Sequence, residues 1–216
     1  MKFYWIKTSA LLKKMFSNYV WDIPNNENSV YLTFDDGPTP EITQWTLLQL
    51  KKYNAKATFF CIGNNVEKHP ELFNTIIQED HAIGNHTYNH LNGWKTETET
   101  YIKNAKQCEI RISNQQSEIN NRKSKLFRPP YGKIKSKQAK KLMELGYKII
   151  MWDVLSADFD SSITREKCLN NVISNVQSGS IIVFHDSVKG FKNLEYVLPK
   201  TLEFLKQNGY KCEAIL

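Results

Sequence analysis

The chain reads as an α/β domain built on a parallel sheet covered by helices, and two observations lead there. From Ser29 onward short apolar runs of strand character alternate with helix-periodic segments. Residues with chemical capacity recur at or just after the ends of those runs, where the loops of such folds build their sites. The alternation suits either a closed barrel or an open doubly wound sheet. With 216 residues, 41% of them apolar and 12% aromatic, the chain can bury one full core, and no internal repeat or low-complexity tract suggests a second.

The elements follow in order. Val30-Tyr31-Leu32-Thr33-Phe34 alternates like a strand and stops at Gly37-Pro38. A helix from about Glu41 to Tyr53 turns Ile42, Trp45, Leu48 and Leu50 inward, and Ala57 to Ile62 is a continuous apolar run, as in a strand covered on both faces. A single helix is expected from about Asn64 to Glu79, then a short strand His81 to Gly84. The stretch from Thr96 to Ser117 is polar but helix-periodic, and Glu118 to Lys125 reads as an exposed connector. Strand Leu126-Phe127-Arg128, helix Ser136 to Leu145 and strand Tyr147 to Asp153 follow. Helix Thr164 to Gln177, strand Ser180 to His185, helix Leu194 to Asn208 and a last strand near Cys212 to Ile215 complete the pattern. His69 before Pro70 and His81 beside Asp80 read as residues that cap or punctuate helices.

The formal charge of +7 comes from 29 Lys and Arg against 22 Asp and Glu, with lysines scattered along helix faces. That reads as a solvated basic surface; no basic run is interleaved with aromatics, so a nucleic-acid partner is not expected. Cys61, Cys108, Cys168 and Cys212 form no C-x-x-C pair and read as reduced, partly buried thiols. Within residues 1–28, Tyr4, Thr8, Leu11, Leu12, Met15, Phe16 and Tyr19 fall near one helical face. Such an amphipathic segment packs on the domain, with peripheral membrane contact as the alternative. Lys7 and Lys13-Lys14 leave too short an apolar stretch for a signal h-region or a span. A cytoplasmic location is therefore expected, with cell-envelope association as the alternative.

Asp35-Asp36-Gly37 and His86-Thr87-Tyr88-Asn89-His90 carry the chemistry. Imidazole and carboxylate together suit a borderline divalent ion, three such ligands leave a position for water, and a second adjacent carboxylate remains as a base. That combination points to hydrolysis. The ordered set Thr33-Phe34-Asp35-Asp36-Gly37, His86 to His90, Arg128-Pro129-Pro130-Tyr131-Gly132, Trp152 through Phe159 and Val183-Phe184-His185 resembles the polysaccharide deacetylases of the NodB homology type, carbohydrate esterase family 4. The likeness runs from Ser29 to Ile215, so residues 29–216 read as the catalytic domain.

The resemblance implies a distorted (β/α) barrel of about seven parallel strands with outer helices. It also implies a metal-dependent hydrolase that removes N-acetyl groups from N-acetylglucosamine-type glycans, chitin-like or peptidoglycan. Asp36, His86 and His90 are then the metal ligands, for zinc or an ion such as cobalt. Asp35 is the general base and Arg128 orients it through a charge-assisted hydrogen bond. The Tyr131 amide faces the oxyanion, while His185 acts as general acid and Asp158 keeps it protonated. The chain departs from the family in the fourth motif. Leu155 stands where an acid is usual and Phe159 where tryptophan is usual, with Asp153 as a candidate to replace the missing acid. Val183 replaces the usual leucine. Trp94 is the candidate aromatic platform for a sugar ring. An O-acetyl esterase on xylan or another acetylated glycan is the alternative reaction. A non-catalytic carbohydrate-binding protein with a relict site is the alternative of another class.

Overall fold

The computed structural model describes residues 4–116 and 125–216. Most of the expected connector before Lys125 lies outside the described residues. Among the described residues eight strands form one sheet: β1 Ser29–Asp35, β2 Ala57–Cys61, β3 Ala82–Asn85, β4 Leu126–Phe127, β5 Lys148–Ile149, β6 Val154–Leu155, β7 Ile181–His185 and β8 Lys211–Cys212. Their order is β5-β4-β3-β2-β1-β7-β6, with β8 paired to β1, and every ladder is parallel. The sheet curls into a distorted (β/α) barrel. Of the expected strand Tyr147 to Asp153 only the short β5 forms; β6 lies just beyond it, and the two stand at opposite ends of the order. β5 pairs with β4 and β6 with β7, so the bent stretch of chain that joins them spans the opening of the barrel.

The helices form the outer layer: α1 Ala10–Met15, α2 Ile42–Lys52, α3 Gly63–Lys68, α4 Pro70–Gln78, α5 Thr98–Gln116, α6 Ser136–Glu144, α7 Arg165–Ile173 and α8 Val188–Gln207. The single helix expected from Asn64 to Glu79 breaks at His69, because Pro70 has no N–H to continue the first helix but suits the first turn of the next. α8 starts earlier than expected, at Val188, and accommodates Pro199. His81 lies in no helix; its buried ring accepts the Ala57 amide at 3.2 Å and packs on Phe59.

Alternation along β1 explains both sides of the barrel wall. Val30, Leu32 and Phe34 join the cluster that α2, α4 and α8 cover, with Phe34 stacked between Phe59 and Phe184 at 5.0 and 5.8 Å. Tyr31 packs inside with Phe60, Leu126, Ile150 and Ile181, and Thr33 reaches the buried Arg128. The lower barrel is thus apolar and its rim polar.

The N-terminal segment is not one amphipathic helix; α1 has six residues, capped by Ser9. Before it the chain runs extended along β6, with Thr8 N donating to Asp153 O at 2.9 Å and Leu155 N donating to Ile6 O at 2.8 Å. After it Val20 exchanges bonds with Ile149 and Met151 on the other side. The segment therefore occupies backbone groups that the opening between β5 and β6 would leave unpaired. Asp153 is not near the chemistry: fully buried, it accepts from Lys7 at 2.5 Å, Lys13 at 2.6 Å and Ser180 at 2.6 Å. It anchors the segment and does not replace the missing acid. The four cysteines are free, Cys212 half-buried and the others buried. Among the described residues no helix is long and apolar enough to cross a membrane.

Burial opposes ionisation of Asp153, but hydrogen bonds from Lys13, Lys7 and Ser180 outweigh it and hold its pKa below the ordinary value. Its contribution is then full above the unfolded-state pKa of about 4 and is lost as pH falls through the lower folded value. Asp153→Ala is expected to cost about 2–3 kcal/mol in urea unfolding at pH 7, the worth of charged hydrogen bonds to a partly exposed pair, with a smaller difference at acid pH.

Candidate active site

β1 ends at Asp35, and the following residue leaves the strand in the left-handed region, Asp36 φ 82°. The two carboxylates therefore diverge, although they are adjacent in sequence. Gly37 makes the turn possible. Its amide donates to Asp186 Oδ1 at 3.1 Å, and a Cβ there would lie 2.1 Å from Asp186 Oδ2. Asp186 is fully buried and its carboxyl is pushed up to about 8, chiefly by desolvation.

The histidine loop follows β3. Asn85, its last residue, accepts the Thr87 amide at 2.8 Å and donates to Ala105 O at 2.7 Å, while Asn104 Oδ1 accepts the Tyr88 and Asn89 amides at 2.9 and 3.0 Å. These bonds hold Thr87 and His90 in left-handed backbone, φ 63° and 54°. His86 Nε2 then lies 3.6 Å and His90 Nε2 3.1 Å from Asp36 Oδ1. The buried Asp36 Oδ1 makes no hydrogen bond of good geometry. Asp36, His86 and His90 each offer one ligand atom, all within 4.8 Å of one another. An orphaned carboxylate oxygen facing two imidazole nitrogens fits a divalent cation. His86 Nδ1 donates to Arg128 O at 2.8 Å, which leaves Nε2 with its lone pair toward Asp36. Burial holds the His86 imidazole neutral, with its pKa lowered to about 4. The Asp36 carboxyl is held well below the carboxylate range: burial opposes ionisation, but the nearby His90 ring and the charge of His185 outweigh it.

Arg128 is fully buried. It donates to Asp35 Oδ1 and Thr33 Oγ1, each at 2.7 Å, to Met151 O at 2.9 Å and to Ile150 O at 3.3 Å, and it lies over the Phe60 ring at 4.1 Å. Asp35 is thereby held apart from the Asp36 group. Tyr131 sits in left-handed backbone, φ 61°, with its ring exposed and 4.6 Å from that of His90.

His185 ends β7. Its Nδ1 meets Asp158 Oδ1 at 2.7 Å and its backbone amide donates to Asp158 Oδ2 at 2.7 Å, while Asn193 donates to Asp158 O at 3.0 Å. Burial lowers the imidazolium's stability, but the charge and hydrogen bond of Asp158, with Asp36 and Asp35 beyond, raise the His185 pKa to about 9. Phe159 packs edge-on against His185 at 5.0 Å. Asp35, Asp36, His86, His90, Tyr131 and His185 line one cavity of about 510 Å³, with Trp152, Leu155, Phe159 and Val183 as its apolar side. Trp94 lies outside it, in an adjoining groove, where its Nε1 donates to Ile134 O at 3.1 Å. Sequence reasoning missed Thr33, Asn85, Asn104 and Asp186. Asn85 and Asn104 carried a faint signal, as amides beside a strand end and inside an otherwise helix-periodic stretch.

The family model for polysaccharide deacetylase matches residues 22–150. The chain belongs to that family. The matched stretch holds the Asp36 group and Arg128 and stops short of Asp158 and His185, which full-length relatives cover. This polysaccharide deacetylase is 36% identical over 192 residues to a peptidoglycan-N-acetylglucosamine deacetylase of Bacillus cereus, 88% of either chain. It is 32% identical over 167 residues to a chitooligosaccharide deacetylase of Azorhizobium caulinodans, 76% of either chain. The solved Bc1960 peptidoglycan N-acetylglucosamine deacetylase, in complex with 4-naphthalen-1-yl-N-oxidanyl-benzamide, superposes with a TM-score of 0.84 at 34% identity, covering 92% of this chain and 91% of that one.

The Asp158 pairing sets a pH dependence. A His185 proton retained to about pH 9 keeps an acid available across neutral pH, and the basic limb of kcat/KM is expected near that value. Asp158→Asn removes the charge that offsets burial, so the limb is expected to move acidward by about 2 units, read from a kcat/KM profile.

Proposed function

We propose that this polysaccharide deacetylase removes N-acetyl groups from N-acetylglucosamine residues of a glycan, of chitin or peptidoglycan type, with zinc or a similar cation held by Asp36, His86 and His90. The observation that carries the reading is the separation of roles inside one cavity. Asp35 is tied to Arg128 and kept out of the Asp36 group, and the protonated His185 completes the cavity lining. The donor set of two neutral imidazole nitrogens and one carboxylate suits zinc. Such a cation supplies positive charge that polarises the acyl carbonyl and acidifies water.

The chain's own groups do the rest. Asp35 accepts the proton of the attacking water as the C–O bond forms and the carbonyl electron pair moves onto oxygen. Arg128 fixes the carboxylate for that transfer. When the pair returns, the C–N bond breaks and His185 delivers its proton to the departing nitrogen, which leaves as an amine rather than an amide anion. Acetate and a free amino sugar result. Asp158 supports the imidazolium throughout, and the walls formed by Trp152, Leu155, Phe159 and Val183 shield the reacting centre from bulk water. The relict-site reading draws no support from this arrangement, because base, acid and ligand group are all present.

Acetate release from chito-oligomers, peptidoglycan and acetylated xylan tests the proposal. Chelated protein is expected to be inactive, zinc or cobalt to restore release from an amino-sugar substrate, and Asp35→Asn to lose about 10²- to 10⁴-fold in kcat. Release from xylan alone would convert the reading to an ester hydrolase.

A further inference from the structure

The catalytic cavity does not stand alone. A groove of about 430 Å³ adjoins it, and the two share Tyr4, Tyr131, Gly132, Trp152 and Leu155 in their linings. The N-terminal segment contributes Trp5, Leu12 and Phe16 to its lining, and Trp94 and Ile134 come from later in the chain. Four of the chain's five tryptophans line it, namely Trp5, Trp21, Trp94 and Trp152. Among the described residues no carboxylate and no side-chain amide does. A sugar ring placed there would find aromatic faces but none of the acidic or amide acceptors that its hydroxyl groups need. The groove's polar side chains are Lys133 and the hydroxyls of Thr8, Ser136 and three tyrosines, and the rest is aromatic and aliphatic surface on which a hydrocarbon or aryl group gains burial.

The layout of the catalytic cavity says which part of a substrate points that way. The acyl carbonyl carbon must sit among the polar groups, Asp35, Asp36, His86, His90 and His185. The group attached to that carbon then faces the apolar side, where Trp152 and Leu155 lie, and these two residues are also the wall of the groove. Leu155 is the position where the family motif carries an acid, so an apolar residue now stands at the junction. We infer that the acyl site of this enzyme is open-ended: the groove accepts the chain of a longer N-acyl group, aliphatic or aryl, so that amino sugars bearing acyl groups well beyond acetyl are bound and hydrolysed. The chemistry is unchanged, with water adding to the acyl carbon and the amine leaving with the His185 proton, and the released product is the longer carboxylate.

The inference rests on the proposed deacetylase reading, and the test separates the two. Metal-restored enzyme is assayed on N-acetyl- and N-octanoyl-chitotriose, and binding of both to Asp35→Asn, which blocks turnover, is followed by tryptophan fluorescence. The octanoyl compound is expected to bind at least about tenfold more tightly than the acetyl one, and to be hydrolysed with comparable or higher kcat/KM. Leu155→Asp, which charges the junction, is expected to lower the octanoyl-to-acetyl binding ratio by at least about tenfold. Trp5→Ala, at a half-exposed rim position, lowers the same ratio and serves if Leu155→Asp does not fold. Equal binding of the two compounds, unmoved by either variant, overturns the open acyl site while acetate release still upholds the deacetylase. Tight octanoyl binding with no hydrolysis of either compound upholds the groove and removes the reaction.

Discussion

The buried guanidinium of Arg128 is the point on which barrel and site both depend. An unpaired charge of that size in a dry interior would cost many times the stability of the domain, so every donor must find a partner. Its partners come from Thr33 and Asp35 on β1 and from the backbone of Ile150 and Met151, where the chain crosses the barrel opening. The same residue's carbonyl takes the His86 Nδ1 proton. One side chain therefore fixes the base, and its own backbone fixes the tautomer of a candidate metal ligand. The crossing stretch that closes the barrel is held by that charge as well.

Strain gathers around this centre. Asp36, Thr87, His90, Tyr131 and Ala157 all occupy left-handed backbone although none is glycine. Each such residue costs of order 1–3 kcal/mol unless its surroundings insist on it. Here they do: Asn85 and Asn104 hold the histidine loop, Asn65 holds the Asp36 carbonyl, and Asp186 holds the Gly37 amide. The strain turns Asp36 away from Asp35, and that divergence is what allows adjacent acids to do different work.

Much of this was legible in the sequence, and the rest was hidden for definite reasons. The parallel ladders around β1 and the ends of most helices follow from apolar periodicity. Residue chemistry marked the paired carboxylates and the two histidines, and the choice of Asp36, His86 and His90 among them came from the family resemblance. Three features were not legible. Ile149 to Trp152 is a continuous apolar run, so periodicity alone cannot show that the chain on its two sides pairs with strands on opposite sides of the opening. The N-terminal segment has helical spacing, but open backbone groups along β6 and a buried Asp153 draw Lys7 and Thr8 into extended pairing. Asp153 looked like a substitute for the acid absent at Leu155 because the two are close in sequence. The fold nevertheless takes them to different surroundings, Asp153 to Lys7 and Lys13 and Leu155 into the cavity wall.

The account rests on the divergence of two neighbouring carboxylates, and anomalous diffraction from zinc-soaked crystals measures it directly. It predicts a single strong peak at about 2.0–2.2 Å from Asp36, His86 Nε2 and His90 Nε2, with Asp35 still paired to Arg128. A peak ligated by Asp35, or located away from the histidine loop, would contradict it.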